Sequence, residues 1–235
     1  MDHEPYKIVY KFSLNNGQKK LFNILLNPET ISIIQHQSEP LPDWAKLEYH
    51  QCECCPLETL GNPYCPIAVN IANIVEEFKD SVSYDDCLVS CSTPERTYLK
   101  KTSIMEGISS ILGIIMATSN CPIMDFFKPM ARFHLPFSTS DETAVRVTSM
   151  FLLQQYFKYG NDSVHNVNLN KLEQYYNKVN TVNEGIFKRI SSLGSKDADK
   201  NAIVMLHSLS QIFSQEINYS LESVAHLFTA QNKTK

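Results

Sequence analysis

The sequence predicts an α+β fold, in which a small antiparallel sheet of about four or five strands packs on a mainly helical C-terminal part. Two strand pairs with turn residues precede residue 102, an amphipathic helix lies between them, and helical periodicity continues to the C-terminus. The chain has 235 residues and 43% hydrophobic content, which is enough for a single compact domain over residues 1–235. Within it, residues 1–101 hold the sheet, the cysteine loop and one helix, and residues 102–235 form a helical array.

The first strand signals lie at the start of the chain. Apolar and polar residues alternate from Tyr6 to Leu14, turn residues follow at Asn15-Asn16-Gly17, and an apolar run extends from Leu21 to Leu26. This period of two around an Asn-Gly turn predicts a β-hairpin. The short apolar run from Ile31 to Ile34 predicts a third strand.

A second hairpin is predicted further along the chain. It combines Cys87 to Cys91 with Arg96 to Lys100 around a turn at Thr93-Pro94. Before it, apolar residues recur every three or four positions from Ile67 to Phe78, which is typical of an amphipathic helix lying on a sheet. Cys87 and Cys91 share one strand face with a valine, so we interpret both as core residues.

After Thr102, apolar residues recur with helical spacing along the rest of the chain. The first helix is apolar on nearly every side, so we expect it to be the central buried one. Thr139 precedes Glu142 by three residues, as in a capping box, and Gly160 stands where a C-cap would. The predicted helices cover residues 103–118, 122–131, 140–158, 169–193, 198–217 and 220–229.

Charge and hydropathy exclude several classes of function. With 21 basic and 25 acidic residues the net charge is −4, and the basic residues are spread along the chain, so we expect neither a nucleic acid nor an anionic membrane as partner. The N-terminus lacks the features of a signal peptide, and the longest apolar stretch, 104–117, is interrupted by Glu106 and two serines. We therefore expect a cytoplasmic protein whose partner is a protein or a small molecule.

The most informative feature is a group of cysteines between residues 50 and 65. Seven cysteines are an odd number, which is unusual for a secreted disulfide framework and favours reduced thiols. Cys52 and Cys55 form a C-x2-C pair, and Cys65 follows after nine intervening residues. A zinc site needs about four nitrogen or sulfur ligands that converge to within about 4 Å of one another. We interpret Cys52, Cys55 and Cys65 as ligands, with His50 or Cys121 as the fourth.

Two other interpretations of these cysteines compete with zinc. An iron–sulfur cluster also takes thiolate ligands, and proline follows Cys55, Cys65 and Cys121 as it follows ligand cysteines in ferredoxin motifs. The prolines after Cys65 and Cys121 are expected at the first helical position, which places both sulfurs at helix N-termini that favour a thiolate. Alternatively, the cysteines are core residues without ligands, because free cysteine is among the most buried residue types.

The segment 121–137 is dense in aromatic residues, prolines and chemically functional groups. Arg132 is a candidate anion-binding residue, His134 a candidate acid, base or ligand, and Glu142 lies at the start of the next helix. These three residues are predicted to form a second ligand shell or a pocket beside the metal. A tightly packed corner between helices accounts for the same composition, since prolines and aromatic side chains often pack at turns.

Four motifs carry a resemblance to a known family. The motifs are C-x2-C-P-L from Cys52, Y-C-P-x-A-V from Tyr64, T-P-E-R-T-Y from Thr93 and P-M-A-R-F-H-L-P-F from Pro129. Together they resemble a bacterial family that is defined as a domain of unknown function, over about residues 6–228. The resemblance implies a bacterial cytoplasmic protein, and it carries over no activity, cofactor or catalytic residue.

The predicted function is that of a cytoplasmic metal-binding protein with a regulatory or protein-interaction role. Zinc, or alternatively an iron–sulfur cluster, would order the cysteine loop. The alternative is a metal- or thiol-dependent enzyme whose site combines the cysteine loop with the segment 121–137. The sequence contains no phosphate-binding loop and no hydrolase or metalloprotease motif that would specify a reaction.

Overall fold

A four-stranded antiparallel sheet forms the N-terminal part of the structure, a computed structural model that describes residues 4–34, 40–160, 168–193, 197, 200, 203–204 and 217–229. The strand order is β2-β1-β3-β4. The strands are β1 (Tyr6–Leu14), β2 (Lys19–Leu26), β3 (Asp86–Ser92) and β4 (Thr97–Ser103). Both predicted hairpins are confirmed, and the N-terminal sheet followed by helices confirms the α+β class.

Helices make up most of the remaining described chain. Two short 3₁₀ helices lie at Asp43–Ala45 and Asp125–Phe127. The α-helices are α1 (Pro66–Phe78), α2 (Ile104–Thr118), α3 (Lys128–Arg132), α4 (Ser140–Tyr159), α5 (Asn170–Ser191) and α6 (Ile217–Thr229). Within the described ranges, none of these helices is both long enough and apolar enough to cross a membrane.

One face of the sheet carries the core and is covered by α1 and α2. Tyr10 and Phe12 of β1 are fully buried, and the Phe12 ring lies 5.0 Å from that of Phe78 on α1. Helix α2 comes so close that a Cβ at Gly107 would lie 2.5 Å from the Phe12 ring. Glycine is therefore required here, although it is a weak helix former.

The predicted helix boundaries agree well where capping residues specify them. Helix α2 is buried along most of its length, as expected for the central helix. Thr139 and Glu142 form the predicted capping box of α4, and Gly160 follows its last turn with a φ of 75°. The predicted helix 220–229 lies within α6, whereas most of the predicted helix 198–217 lies outside the described residues.

The prediction of a strand from Ile31 to Ile34 is wrong. Asn27 Oδ1 accepts backbone N–H bonds from Glu29 and Thr30 at 2.9 and 3.0 Å, and Ile31 has a φ of 55°. This turn directs the Ile33 N–H to the carbonyl of Thr118 at 2.9 Å. In place of the predicted strand, the segment forms only an isolated bridge between Leu26 and Ile33.

The continuous helix predicted over residues 122–131 is also wrong. A turn at 122–124 leads into a 3₁₀ helix, and α3 begins only at Lys128. Proline lacks an N–H, a group that has no intrahelical partner in the first turn of a helix, so Pro129 favours a new helix start over a continuous helix. Pro122 is therefore not the first residue of an α-helix, in contrast to Pro66, which is in the first turn of α1.

Candidate functional site

Four cysteines from three separate segments lie in one region of the structure. Cys52 and Cys55 are joined by a turn in which the Cys55 N–H donates to the Cys52 carbonyl at 2.9 Å. Cys65 is the N-cap residue of α1, and Cys121 lies in the turn after α2. The Cys52 thiol interacts electrostatically with Cys55, Cys65 and Cys121, so the fold brings the predicted cysteine ligands together.

Helix α5 packs against the part of the cysteine loop that carries Cys52 and Cys54. Cys54 Sγ lies 3.7 Å from the carbonyl of Lys178, and Cys52 Sγ lies 4.0 Å from that of Val182. Gly185 leaves the space that the Cys52 side chain occupies, since a Cβ there would lie 2.6 Å from Cys52 Sγ. The position of Cys52 therefore depends on a residue that follows it by more than a hundred positions.

Arg189, one turn further along α5, holds the chain segment that leads into the cysteine loop. Its guanidinium is buried and donates to the carbonyls of Trp44, Lys46 and Leu47 at 2.7, 2.7 and 2.9 Å. Among the described residues its Nε has no hydrogen-bond partner. The sequence analysis missed this residue, although an arginine three positions after Ile186 falls on the apolar stripe of the helix.

Burial gives Cys52 and Cys121 a strong preference for the neutral thiol. Together with a smaller effect of the neighbouring cysteines, it raises the pKa of Cys52 to about 12 and that of Cys121 to about 11. The nearby backbone N–H groups of Ile123 and Met124 act in the opposite direction on the pKa of Cys121. Thiolates at Cys52 and Cys121 would therefore need a cation beside them in order to exist at neutral pH.

The sulfurs are not arranged as ligands of a bound ion. Within the described part of the chain, no group of three or more His, Cys, Asp or Glu side chains could hold a metal ion as placed. The close convergence that zinc requires is thus not present, although the thiols are near enough to influence one another's pKa. Metal binding at this cluster would have to draw the cysteines together.

His50, the other predicted fourth ligand, is placed differently from Cys121. It is exposed, with a φ of 48°. Its ring packs edge-on against Tyr49, at a centroid distance of 4.9 Å. The Tyr49 hydroxyl in turn lies 2.7 Å from Ser192 Oγ, just beyond α5. Cys121, which is buried and interacts with Cys65 and Cys55, is the better candidate for the fourth ligand.

The three residues predicted for a second shell or pocket lie in three different surroundings. The Arg132 guanidinium stacks 4.0 Å from the ring of Tyr6 and lies 3.7 Å from Glu95, beside the sheet. Glu142 accepts the N–H of Thr139 at 2.8 Å and so serves as a helix cap. Of the three, only His134 lines a partly open cavity between helices.

His134 belongs to a partly buried polar group at the wall of this cavity. Its Nε2 lies 2.6 Å from the Tyr10 hydroxyl, which lies 2.8 Å from Ser110 Oγ. Burial, with a smaller contribution from Arg146, lowers the pKa of His134 to about 3. The segment 121–137 therefore divides between two places: Cys121 joins the cysteine cluster, and His134 lines the cavity.

A glycine-to-alanine change tests the contact between α5 and the cysteine loop. We expect Gly185→Ala to destabilise the protein by about 1 to 3 kcal/mol, because the added methyl overlaps Cys52 Sγ. Gly113→Ala in α2 is the control, since a Cβ there meets nothing within 4 Å, and it should stabilise by up to about 1 kcal/mol. Urea denaturation measures both. If both changes stabilised the protein equally, Gly185 and Cys52 would not be in close contact in solution.

Fold and site together define an α+β protein with a group of buried and half-buried cysteines beside α5. The chain belongs to the family described as Domain of unknown function (DUF6901), which matches residues 8–229. This match confirms, at the level of the family, the resemblance inferred from the sequence motifs. No curated protein and no solved structure matches the chain.

Proposed function

We propose that this chain is a metal-binding protein in which Cys52, Cys55, Cys65 and Cys121 hold zinc or, alternatively, an iron–sulfur cluster. The observation that carries the proposal is the grouping of these thiols from three distant segments. Neighbouring thiols gain little from one another as neutral groups, whereas a cation stabilises all of them as thiolates.

The surroundings of Cys121 support a thiolate at this position. The nearby N–H groups of Ile123 and Met124 act to lower the pKa of Cys121, and N–H groups beside ligand sulfurs stabilise their charge in metal sites. Cys65 lies at the N-terminus of α1, where the helix dipole also favours negative charge. Both cysteines are buried, which suits a closed structural site better than a catalytic one with an open position.

The spacing of the sulfurs bears on which metal is bound. One zinc ion requires zinc–sulfur distances of about 2.3 Å, so the cysteine loop would have to tighten around it. An iron–sulfur cluster occupies more space between its ligands, because several irons and sulfides lie between the cysteines. We place zinc first on the strength of the C-x2-C pair, and the visible spectrum decides between the two.

The role that we propose for the metal is to order the cysteine loop for contact with a partner protein in the cytoplasm. The loop residues 56–62 lie between Cys55 and Cys65, and the side chain of Leu60 is 99% exposed. Metal ligands on both sides of this loop would couple its conformation to metal occupancy. Such coupling is the physical basis of a regulatory role.

A thiol-dependent enzyme is less well supported by the same site. A nucleophilic cysteine needs a lowered pKa and access to solvent, whereas burial raises the pKa of Cys52 and Cys121. Arg132, which the enzyme alternative places at the site, instead contacts Tyr6 and Glu95. The observations therefore favour a structural metal over a reactive thiol.

Metal analysis of protein purified without oxygen tests the proposal. We expect about one zinc ion or one cluster per chain, and a brown protein that absorbs near about 400 nm would identify an iron–sulfur cluster. Cys65→Ser and Cys121→Ser should each lose most of the metal. Cys87→Ser is the matched control: Cys87 is a buried core residue of β3, so this variant should keep its metal and lose only about 1 to 3 kcal/mol of stability.

Two results would contradict the proposal. The first is a wild-type protein without zinc or iron even after reconstitution under reducing conditions. The second is equal metal content in Cys65→Ser, Cys121→Ser, Cys87→Ser and the wild type, which would place the metal elsewhere.

A further inference from the structure

A partly open cavity of about 230 Å³ lies between α2, α4, α5 and the segment 124–138. Its wall is mostly apolar, with Ile114, Ala117, Met124, Phe127 and Met130 among the lining side chains. An apolar cavity of about 150 Å³ is large enough to bind benzene. This cavity therefore has room for a substituted aromatic ring or an acyl chain of similar size.

One cation faces this apolar space without a carboxylate partner. Arg146 lines the cavity, and its Nη2 donates to the carbonyls of Met130 and Phe133 at 3.2 and 2.8 Å. Among the described residues Arg146 forms no salt bridge, although the carboxylate of Glu142, one turn earlier on α4, attracts it at longer range. Arginine presents five N–H donors in a planar fork, so donors remain for a ligand.

The other polar groups of the wall do not neutralise this charge. Glu106, the acidic residue at the edge of the cavity, pairs with Lys100 at 2.8 Å. His134 is hydrogen-bonded to Tyr10 and stays neutral at ordinary pH, because burial lowers its pKa to about 3. The interior of the cavity thus combines an apolar body with a net positive end, which is typical of small-molecule sites.

We propose that this cavity binds a small carboxylic acid with an apolar body, whose carboxylate pairs with Arg146. The pairing compensates the half-buried guanidinium, and the aromatic or aliphatic part of the ligand fills the space between α2 and α5. The inference concerns a site separate from the cysteine cluster and holds whether or not a metal binds there.

Binding of benzoate and benzyl alcohol to the full chain tests the proposal. The two probes have nearly the same shape and differ in charge, so calorimetric titration separates the cavity from the carboxylate contact. We expect benzoate to bind at least about tenfold more tightly than benzyl alcohol, since hydrogen bonds to an ionised group are roughly twice as strong as neutral ones. Arg146→Gln should reduce this preference to within about threefold, because glutamine keeps a donor for the carbonyls and removes the charge.

A second variant tests the cavity itself. A Cβ at Gly113, which lines the cavity, meets nothing within 4 Å, so Gly113→Met should fill the space without disturbing α2. We expect it to weaken both probes at least about tenfold, as loss of a preformed pocket would, while Gly113→Ala binds them like the wild type. If Gly113→Met does not fold, the preference for benzoate over benzyl alcohol in the wild type and in Arg146→Gln still tests the proposal. Equal affinities of the wild type for both probes, no binding of either, or unchanged benzoate affinity in Gly113→Met would overturn the proposal.

Discussion

Replacing Arg189 with methionine is expected to destabilise the protein by about 3 kcal/mol. The guanidinium donates to three backbone carbonyls, those of Trp44, Lys46 and Leu47. Methionine fills similar space but leaves these carbonyls without a donor, and each unsatisfied buried acceptor costs about 1 to 3 kcal/mol. Part of the loss is recovered because the variant no longer buries a cation. Urea denaturation monitored by the fluorescence of Trp44 reports both the stability and the segment that is released.

Arg132→Met is the matched control for this prediction. Arg132 makes its contacts with Tyr6 and Glu95 while its side chain remains 34% exposed, so its loss should change stability by about 1 kcal/mol or less. Because Arg189 holds the segment that enters the cysteine loop, Arg189→Met should also lower metal content if the proposed site exists. A stability of Arg189→Met equal to that of Arg132→Met would show that the three hydrogen bonds are not made in solution.

Acid is expected to destabilise the wild type more than His134→Gln, by about 2 to 3 kcal/mol between pH 7 and pH 4. In the unfolded chain His134 takes up a proton as the pH falls through its ordinary value of 6.5, whereas in the folded protein burial keeps it neutral down to about pH 3. The unfolded state therefore binds more protons in this range, and stability falls with the pH. Above pH 7 both states are neutral and the contribution is constant.

Denaturation curves at several pH values measure this difference directly. Glutamine can still hydrogen-bond the Tyr10 hydroxyl but does not titrate, so the variant isolates the proton. Cysteine protonation and metal loss at low pH affect both proteins alike and cancel in the comparison. His226→Gln, at an exposed position of α6, should follow the wild type. The same pH slope in His134→Gln and the wild type would contradict a buried, neutral His134.

Local chemistry explains the elements that were predicted correctly. The alternation from Tyr6 to Leu14 and the turn at Gly17 specify a hairpin, and the capping box at Thr139 specifies where α4 begins, because each signal and its partners lie within a few residues. The run from Ile31 to Ile34 was misassigned because its conformation depends on a distant residue. Its apolar residues fit a strand, but the Ile33 N–H bonds to Thr118, which no local pattern shows.

The candidate site likewise has a part that the sequence predicts and a part that only the tertiary structure shows. The sequence by itself determined the α+β class, indicated the family and made Cys52, Cys55 and Cys65 candidate ligands. Only the tertiary structure decided that Cys121 joins them, that Arg132 lies elsewhere, and that Arg146 faces a cavity. Arg189 and the Trp44 carbonyl are separated by 145 residues, so their hydrogen bond follows from how helices and loop pack. Hydrogen bonds and cavities of this kind depend on which distant segments pack together. The periodicity of the sequence gives no information about these long-range contacts.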